Sequence, residues 1–346
     1  MTDHSLDFSF AFSPPIQTAL FRYEPQDFIV DEQMDEAFSG EGEHFWLRVR
    51  KIGENTDWVA SKLADYFSVK NMDVGYGGKK DRHAVTTQWF SIYLPGKEHR
   101  IDWDAFVADT GVQGQLLESH THSRKLRKGE HSANQFIITL RELTEDADLL
   151  ERLASVAKTG VPNYFGEQRF GRGGQNLVKV ERWVHDPRSV RDRGLRGMLM
   201  SSARSYLFNL VLSQRLADGS WLQSVAGDPG LKQREADEAD TAAPEVGDAG
   251  IIPTGPLWGR GRSLAQEELL NSEAESLEPY SHWCDALENV GLLQERRALL
   301  LSPQKFSWRF VNDNLELSMT LAPGQYATSV LREIALLRQE YKNNQG

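Results

Sequence analysis

Apolar runs with the two-residue period of a strand stand near both ends of this 346-residue chain, and helical spacing dominates between them. In Phe45-Trp46-Leu47-Arg48-Val49-Arg50, Phe45, Leu47 and Val49 share one face while Arg48 and Arg50 take the other, and residues 315–321 alternate in the same way. Phe28-Ile29-Val30, residues 89–94 and residues 135–141 read as further strands. A helix is expected over 57–67, capped by Thr56 or Asn55, with Val59, Leu63, Tyr66 and Phe67 as its apolar stripe. A second, over 146–158, stops at Gly160. Beyond it the chain becomes Gly/Arg-rich, and Pro162 with Gly171, Gly173 and Gly174 marks a junction. Helices are expected at 198–216, across 266–300, and from Thr328 or Ser329 to Tyr341. Residues 1–20 read as a loosely attached arm or edge strand, and 102–118 fit no single pattern. The pattern of strands near both ends around a mostly helical, loop-rich middle predicts an α+β fold with a second domain in the middle.

Charge is unevenly placed. The formal net charge is -11, which opposes binding to a polyanion. Residues 226–250 hold seven acids against two bases and 265–298 hold eight against two, so these two segments carry the whole excess. Residues 152–204 instead hold eleven Lys/Arg against four Asp/Glu, and Arg124-Lys125-Leu126-Arg127-Lys128 adds four cations just upstream. Either a nucleic-acid track or a solvated face produces such a pattern. The segment 226–250, acidic and poor in apolar residues, is expected to be a flexible loop. One cysteine, Cys284, excludes an intrachain disulfide, and no Cys/His cluster has metal-ligand spacing, so neither structural zinc nor another metal is expected. The acidic N-terminus resembles no leader and no run is long enough to span a membrane, which gives a cytoplasmic expectation.

Chemistry concentrates in Tyr76-Gly77-Gly78-Lys79-Lys80-Asp81-Arg82-His83-Ala84-Val85-Thr86-Thr87-Gln88, a polar loop that feeds a strand. Its single carboxylate, Asp81, follows two lysines that favour its charged form, and an ionised aspartate on such a loop is a candidate covalent catalyst. Gly78 to Gln88 resembles the Gly-x-Lys-Asp-x-x-Ala-x-Thr-x-Gln signature of the TruD family of tRNA pseudouridine synthases. The resemblance extends through Pro25-Gln26-Asp27-Phe28-Ile29-Val30, Asn134-Gln135-Phe136, residues 160–171 and residues 321–333.

The resemblance implies a pseudouridine-synthase core with a mixed, mainly antiparallel sheet built from residues 1–158 and 309–346, with an α/β TRUD domain inserted over 159–308 and RNA lying between the two. It implies conversion of a uridine in tRNA, at position 13, to pseudouridine by a monomer needing no cofactor. Asp81 is then the catalytic nucleophile or base. Phe136 occupies the place of the aromatic residue that packs against the uracil; from its surroundings alone it reads equally as a core residue. Asn134, on the same strand face, is a partner for the base or a loop carbonyl, or else a turn cap. Arg22 stands where the family has lysine, and its planar fork is not interchangeable with an ammonium. Lys80 either holds phosphate or tunes Asp81, and Lys125, Arg127, Arg169 and Arg172 are candidates for the RNA backbone. A non-catalytic RNA-binding protein is the alternative. A hydrolytic glycosidase would need two cooperating carboxylates where this loop offers one.

Overall fold

The computed structural model describes residues 4–232 and 251–341. From the N-terminus come β1 (Thr18–Phe21), β2 (Phe28–Gln33), β3 (His44–Ile52), α1 (Thr56–Phe67), β4 (Val74–Tyr76), β5 (Val85–Tyr93), α2 (Trp103–Thr110), β6 (Gly114–His122) and β7 (Ala133–Arg141). The middle contains α3 (Ala147–Thr159), β8 (Val161–Pro162), α4 (Gln175–His185), α5 (Arg193–Ala217), β9 (Leu231–Lys232), β10 (Ile251–Ile252), β11 (Thr254–Leu257), α6 (Glu267–Leu277), α7 (Ser281–Asn289), β12 (Glu295–Ala298) and β13 (Leu300–Leu301). A hairpin of β14 (Gln304–Val311) and β15 (Asn314–Leu321) follows, then α8 (Ala327–Ile334) and β16 (Leu336–Gln339).

Two compact units result. Among the described residues, 16–147, 304–324 and 335–341 form the first, and 4–15, 148–232, 251–303 and 325–334 the second. The first unit is built on one ten-stranded sheet of order β14-β15-β7-β2-β5-β3-β6, with β1 on β7, β16 on β1 and β4 on β5. β2 runs parallel to β5 and β1 to β16, while the other neighbours are antiparallel. This is the mixed, mainly antiparallel sheet of an α+β fold.

Its core follows from the alternation in β3. Phe45, Leu47 and Val49 face Val59 and Leu63 of α1, Phe106 of α2 and Phe90 and Ile92 of β5, all buried. α1 begins where Asn55 accepts a hydrogen bond from the Asp57 amide at 2.8 Å, and it ends at Ser68 in the left-handed region. Central β5 is buried on both faces, which is why its polar Thr86, Gln88 and Ser91 are also inside.

In the second unit Leu177, Val180 and Trp183 of α4 pack with Tyr206, Leu207 and Val211 of α5 and with Trp283 and Leu287 of α7. The N-terminal residues belong to this core. Phe8 stacks on Tyr164 at 5.3 Å, Arg332 of α8 donates to the Phe8 carbonyl at 2.8 Å, and Glu333 accepts from the Ala11 amide at 3.0 Å.

Several sequence expectations need correction. Of residues 1–20, residues 1–3 lie outside the described residues and 4–20 are no loose arm: Phe8 is buried and Thr18–Phe21 is a strand paired on both sides. The closing helix begins at Ala327, so neither Thr328 nor Ser329 precedes it as a cap, and it stops at Ile334; residues 336–339 form a strand parallel to β1. Helix does not continue from 266 to 300 either, because α7 ends before Gly291, whose φ of +83° breaks the helix, and residues 295–298 and 300–301 are strands. α5 starts at Arg193, earlier than its apolar spacing suggested, because Asp192 caps it through the Leu195 amide at 2.6 Å. Residues 102–118 split into α2 and the start of β6. Residues 4–15, 148–158 and 325–334 pack with the second unit and 304–308 with the first, so the division differs from boundaries at 158/159 and 308/309. Of the acidic segment 226–250, residues 233–250 lie outside the described residues.

Leu47 lies at the centre of the α1–β3 face and is fully buried. Leu47→Ala should lower unfolding stability by about 2–5 kcal/mol, measured by urea denaturation followed by tryptophan fluorescence. A loss below about 1 kcal/mol would show that this face is not close-packed.

Candidate active site

Asp81 lies on the loop joining β4 to β5, and hydrogen bonds from several directions fix that loop. Thr56 Oγ1, at the start of α1, donates to Gln88 Oε1 at 2.9 Å and accepts the Lys80 amide at 3.0 Å. Gln88 Nε2 donates to the Gly78 carbonyl at 3.1 Å, and the Gly129 amide to the Gly77 carbonyl at 2.8 Å. Gly75 is required by close approach, since a Cβ there would lie 2.3 Å from the Leu126 carbonyl oxygen. Lys80 turns inward: its Nζ is 2.6 Å from Glu32 Oε2 and 2.8 Å from Asn134 Oδ1, with Lys80 and Glu32 both buried. Glu32 Oε1 accepts the Trp89 amide at 3.2 Å.

The residue after this anchor, Asp81, is about one-third exposed, its side chain being 35% accessible. Arg22 binds it with both terminal nitrogens, Nη2 to Oδ2 at 2.8 Å and Nη1 to Oδ1 at 3.4 Å. Arg22 follows β1 with φ at +57°, the left-handed region that side chains other than glycine rarely adopt. Its guanidinium lies 4.0 Å from the Phe28 ring centre and 4.7 Å from that of Phe21. Burial pushes the Arg22 guanidinium below its ordinary pKa, and the Asp81 charge opposes that shift. Phe28 in turn meets Phe136 edge-on at 5.8 Å. Phe136 is itself buried, on β7 between Val30 of β2 and Met319 of β15.

Lys51, which the sequence reading passed over, completes the set. It ends the inward face of β3, is buried, and donates to the Glu54 carbonyl at 2.7 Å. Burial pushes its ammonium down to about 8, against the pull of Asp81 and Glu54. Its signal was available in the sequence: position 51 is in phase with Phe45, Leu47 and Val49.

The structure therefore brings Asp81, Arg22, Lys80, Asn134 and Phe136 together in the first unit. Lys80 and Asn134 serve each other and Glu32, so Lys80 presents no free charge for a phosphate, and Asn134 is neither a turn cap nor bonded to a loop carbonyl. Lys79 pairs with Asp57 at 2.6 Å. Within the basic stretch beside the loop, Arg124 bonds Glu36 and Glu130, and the Lys125 ammonium bonds the Met72 carbonyl; Arg127 and Lys128 are exposed. Arg169 and Arg172 belong to the second unit. Arg169 donates to the Tyr326 hydroxyl at 2.9 Å and Arg172 is exposed. Sequence reading also missed Arg297 there, whose half-buried guanidinium lies 4.2 Å from the Phe165 ring centre and is pushed down to about 10 by desolvation.

The mixed, mainly antiparallel sheet with its helices is consistent with a pseudouridine-synthase fold. The profile of the family "tRNA pseudouridine synthase D (TruD)" matches residues 10–185 and 175–334. The tRNA pseudouridine synthase D of Cellvibrio japonicus is 47% identical over 98% of this chain and 95% of its own length, and that of Nitrosococcus oceani is 45% identical over 93% and 91%. The solved structure of a TruD candidate from Methanosarcina mazei, at 18% identity, superposes with a TM-score of 0.66 over 94% of this chain and 95% of its own and shares its fold. The chain belongs to the TruD family of tRNA pseudouridine synthases. None of its helices is long and apolar enough to cross a membrane, among the described residues.

The Lys51 pKa fixes a sign. Held at about 8 against an ordinary 10.5, the buried ammonium penalises the fold at every pH below about 8, and the penalty is relieved as pH rises from there to 10.5. Lys51→Met has no such group, so the stability of the wild type relative to the variant should rise by about 2–3 kcal/mol across that window. Chemical denaturation at a series of pH values measures it. A difference that stays constant with pH would mean that Lys51 is hydrated.

Proposed function

We propose that the chain converts uridine at position 13 of tRNA to pseudouridine, with Asp81 as the residue that acts on the ribose–uracil unit. The geometry at Asp81 supports this reading: it is a partly exposed carboxylate gripped at both oxygens by Arg22, and its charge reaches the buried Lys51 ammonium. The reaction breaks the N1–C1′ bond, turns the uracil and joins C5 to C1′, with C5 losing one proton and N1 gaining one. It is redox-neutral. The target must first leave its stack, because the sugar carbon is inaccessible in a helix. A fixed anion beside C1′ stabilises the positive charge that develops as the glycosidic bond breaks, or adds to the sugar as a nucleophile.

Arg22 holds Asp81 still through both oxygens, a positioning role that a bidentate fork fills better than an ammonium. Phe136 offers the flipped base the small part of its ring that remains accessible, and base–aromatic contact supplies about 1–3 kcal/mol. Arg127 and Lys128, exposed beside the loop, are the cations of the 124–128 stretch that meet the RNA backbone.

Asp81→Asn keeps the shape and removes the charge. Pseudouridine formation should fall by about 10³-fold or more while tRNA affinity is retained or rises slightly. A folded variant that binds tRNA and turns over near the wild-type rate would overturn the assignment of Asp81, and a non-catalytic RNA binder would form no pseudouridine in either version. Arg127→Gln with Lys128→Gln should weaken tRNA binding and reduce the salt slope by about one counterion per lost contact. An unchanged slope in a filter-binding titration would place these cations away from the RNA.

A further inference from the structure

Linear spacing shows no metal motif, yet the second unit brings three donors together. Glu181 and His185 stand one turn apart at the end of α4, and His282 comes from the first turn of α7, about a hundred residues later. His185 Nε2 lies 3.0 Å from Glu181 Oε1 and His282 Nε2 lies 3.1 Å from the same oxygen. The two imidazoles are roughly parallel, with centres 5.9 Å apart. Every donor atom lies within 4.8 Å of the others. One cation at ordinary Zn–N and Zn–O lengths of about 2.0–2.2 Å can therefore reach all three with small side-chain rotations.

We propose that Glu181, His185 and His282 form a binding site for a zinc-class divalent cation, bridging α4 and α7. The donor set of two imidazoles and one carboxylate suits a borderline metal such as Zn²⁺ or Co²⁺ and is poor for Ca²⁺ or Mg²⁺, which demand oxygen ligands. The carboxylate is oriented from behind: Trp283 Nε1 donates to its other oxygen at 2.7 Å, the kind of outer contact that fixes a ligand. His4 Nε2 also lies 3.8 Å from that second oxygen. Exposure suits loading, because His185 is 71% accessible and opens the site to solvent. In the competing state both imidazoles donate an N–H to Glu181 Oε1 and no metal binds.

The test is calorimetric titration of full-length, chelator-stripped protein with Zn²⁺, repeated with Co²⁺ while recording its visible absorption. The expected result is one saturable equivalent per chain, a Co²⁺ spectrum of low coordination number, and a rise in melting temperature with Zn²⁺. His185→Gln and Glu181→Gln should each weaken that equivalent about tenfold or more and abolish the melting shift. Because the His185 side chain is mostly exposed, His185→Gln should fold normally, and far-ultraviolet circular dichroism verifies it. Absence of a saturable first equivalent in the wild type, or an equivalent that His185→Gln retains at full affinity, would overturn the proposal.

Discussion

The position of Asp81 depends on the buried ion pair between Lys80 and Glu32. Both partners are almost wholly removed from water, and a buried charge that loses its partner costs about 3–5 kcal/mol, so the pair holds the loop in one place. Asn134 satisfies a second proton of the ammonium, and the Trp89 amide satisfies the other oxygen of Glu32. The clamp thereby ties the residue before Asp81 to three strands, β2, β5 and β7. A carboxylate on an unanchored glycine-bearing loop would sample many positions. Here its neighbour cannot move without unpairing a buried charge.

The same arrangement explains the excess of cations. Lys51, Arg22 and the Lys80 side chain are all buried in this unit, while Asp81, the one carboxylate of the 77–88 loop, is partly exposed. Burial lowers the proton affinity of Lys51 and Arg22, so these cations are held at a cost in folding free energy. Arg22 adds backbone strain at φ +57° and recovers part of it through the faces of Phe21 and Phe28. Such a site is less stable than an apolar one of equal volume. What it gains is a fixed positive field around a carboxylate held in one place.

Much of this was legible in the sequence, for a physical reason that also marks the limits. Period-two alternation in Phe45 to Arg50 and in residues 315–321 survives because one face of each strand is buried and the other is not, and Asn55 was readable as a cap because capping is local. The end of α8 was not legible. Ala335, Leu336 and Leu337 continue its apolar spacing, and the switch to a strand comes from pairing with β1, more than 300 residues away in sequence. The partners of Lys80 and Asn134 were hidden in the same way, since Glu32 stands on another strand. A lysine in a Lys-Asp-Arg triplet looks solvated until its partner is known.

The net charge is the remaining tension, and burial resolves it better than counting does. Of the eleven cations in 152–204, Arg152 is tied to Asp148, Arg169 to Tyr326, Arg196 to the Val190 carbonyl and Arg204 to the carbonyls of Leu257 and Leu293. Lys158, Arg172, Lys179, Arg182, Arg188, Arg191 and Arg193 are exposed. Of the four acids there, Asp186 and Asp192 accept backbone amides at helix starts, and Glu181 is drawn into the Trp283 and histidine cluster, which leaves Glu167. Screening limits a surface charge to a reach of about 8–10 Å at ordinary ionic strength, so a nucleic acid responds to the cations it lies against and not to the sum over the chain. A chain of net charge -11 can thus present strongly cationic ground over the stretch where that sum is reversed.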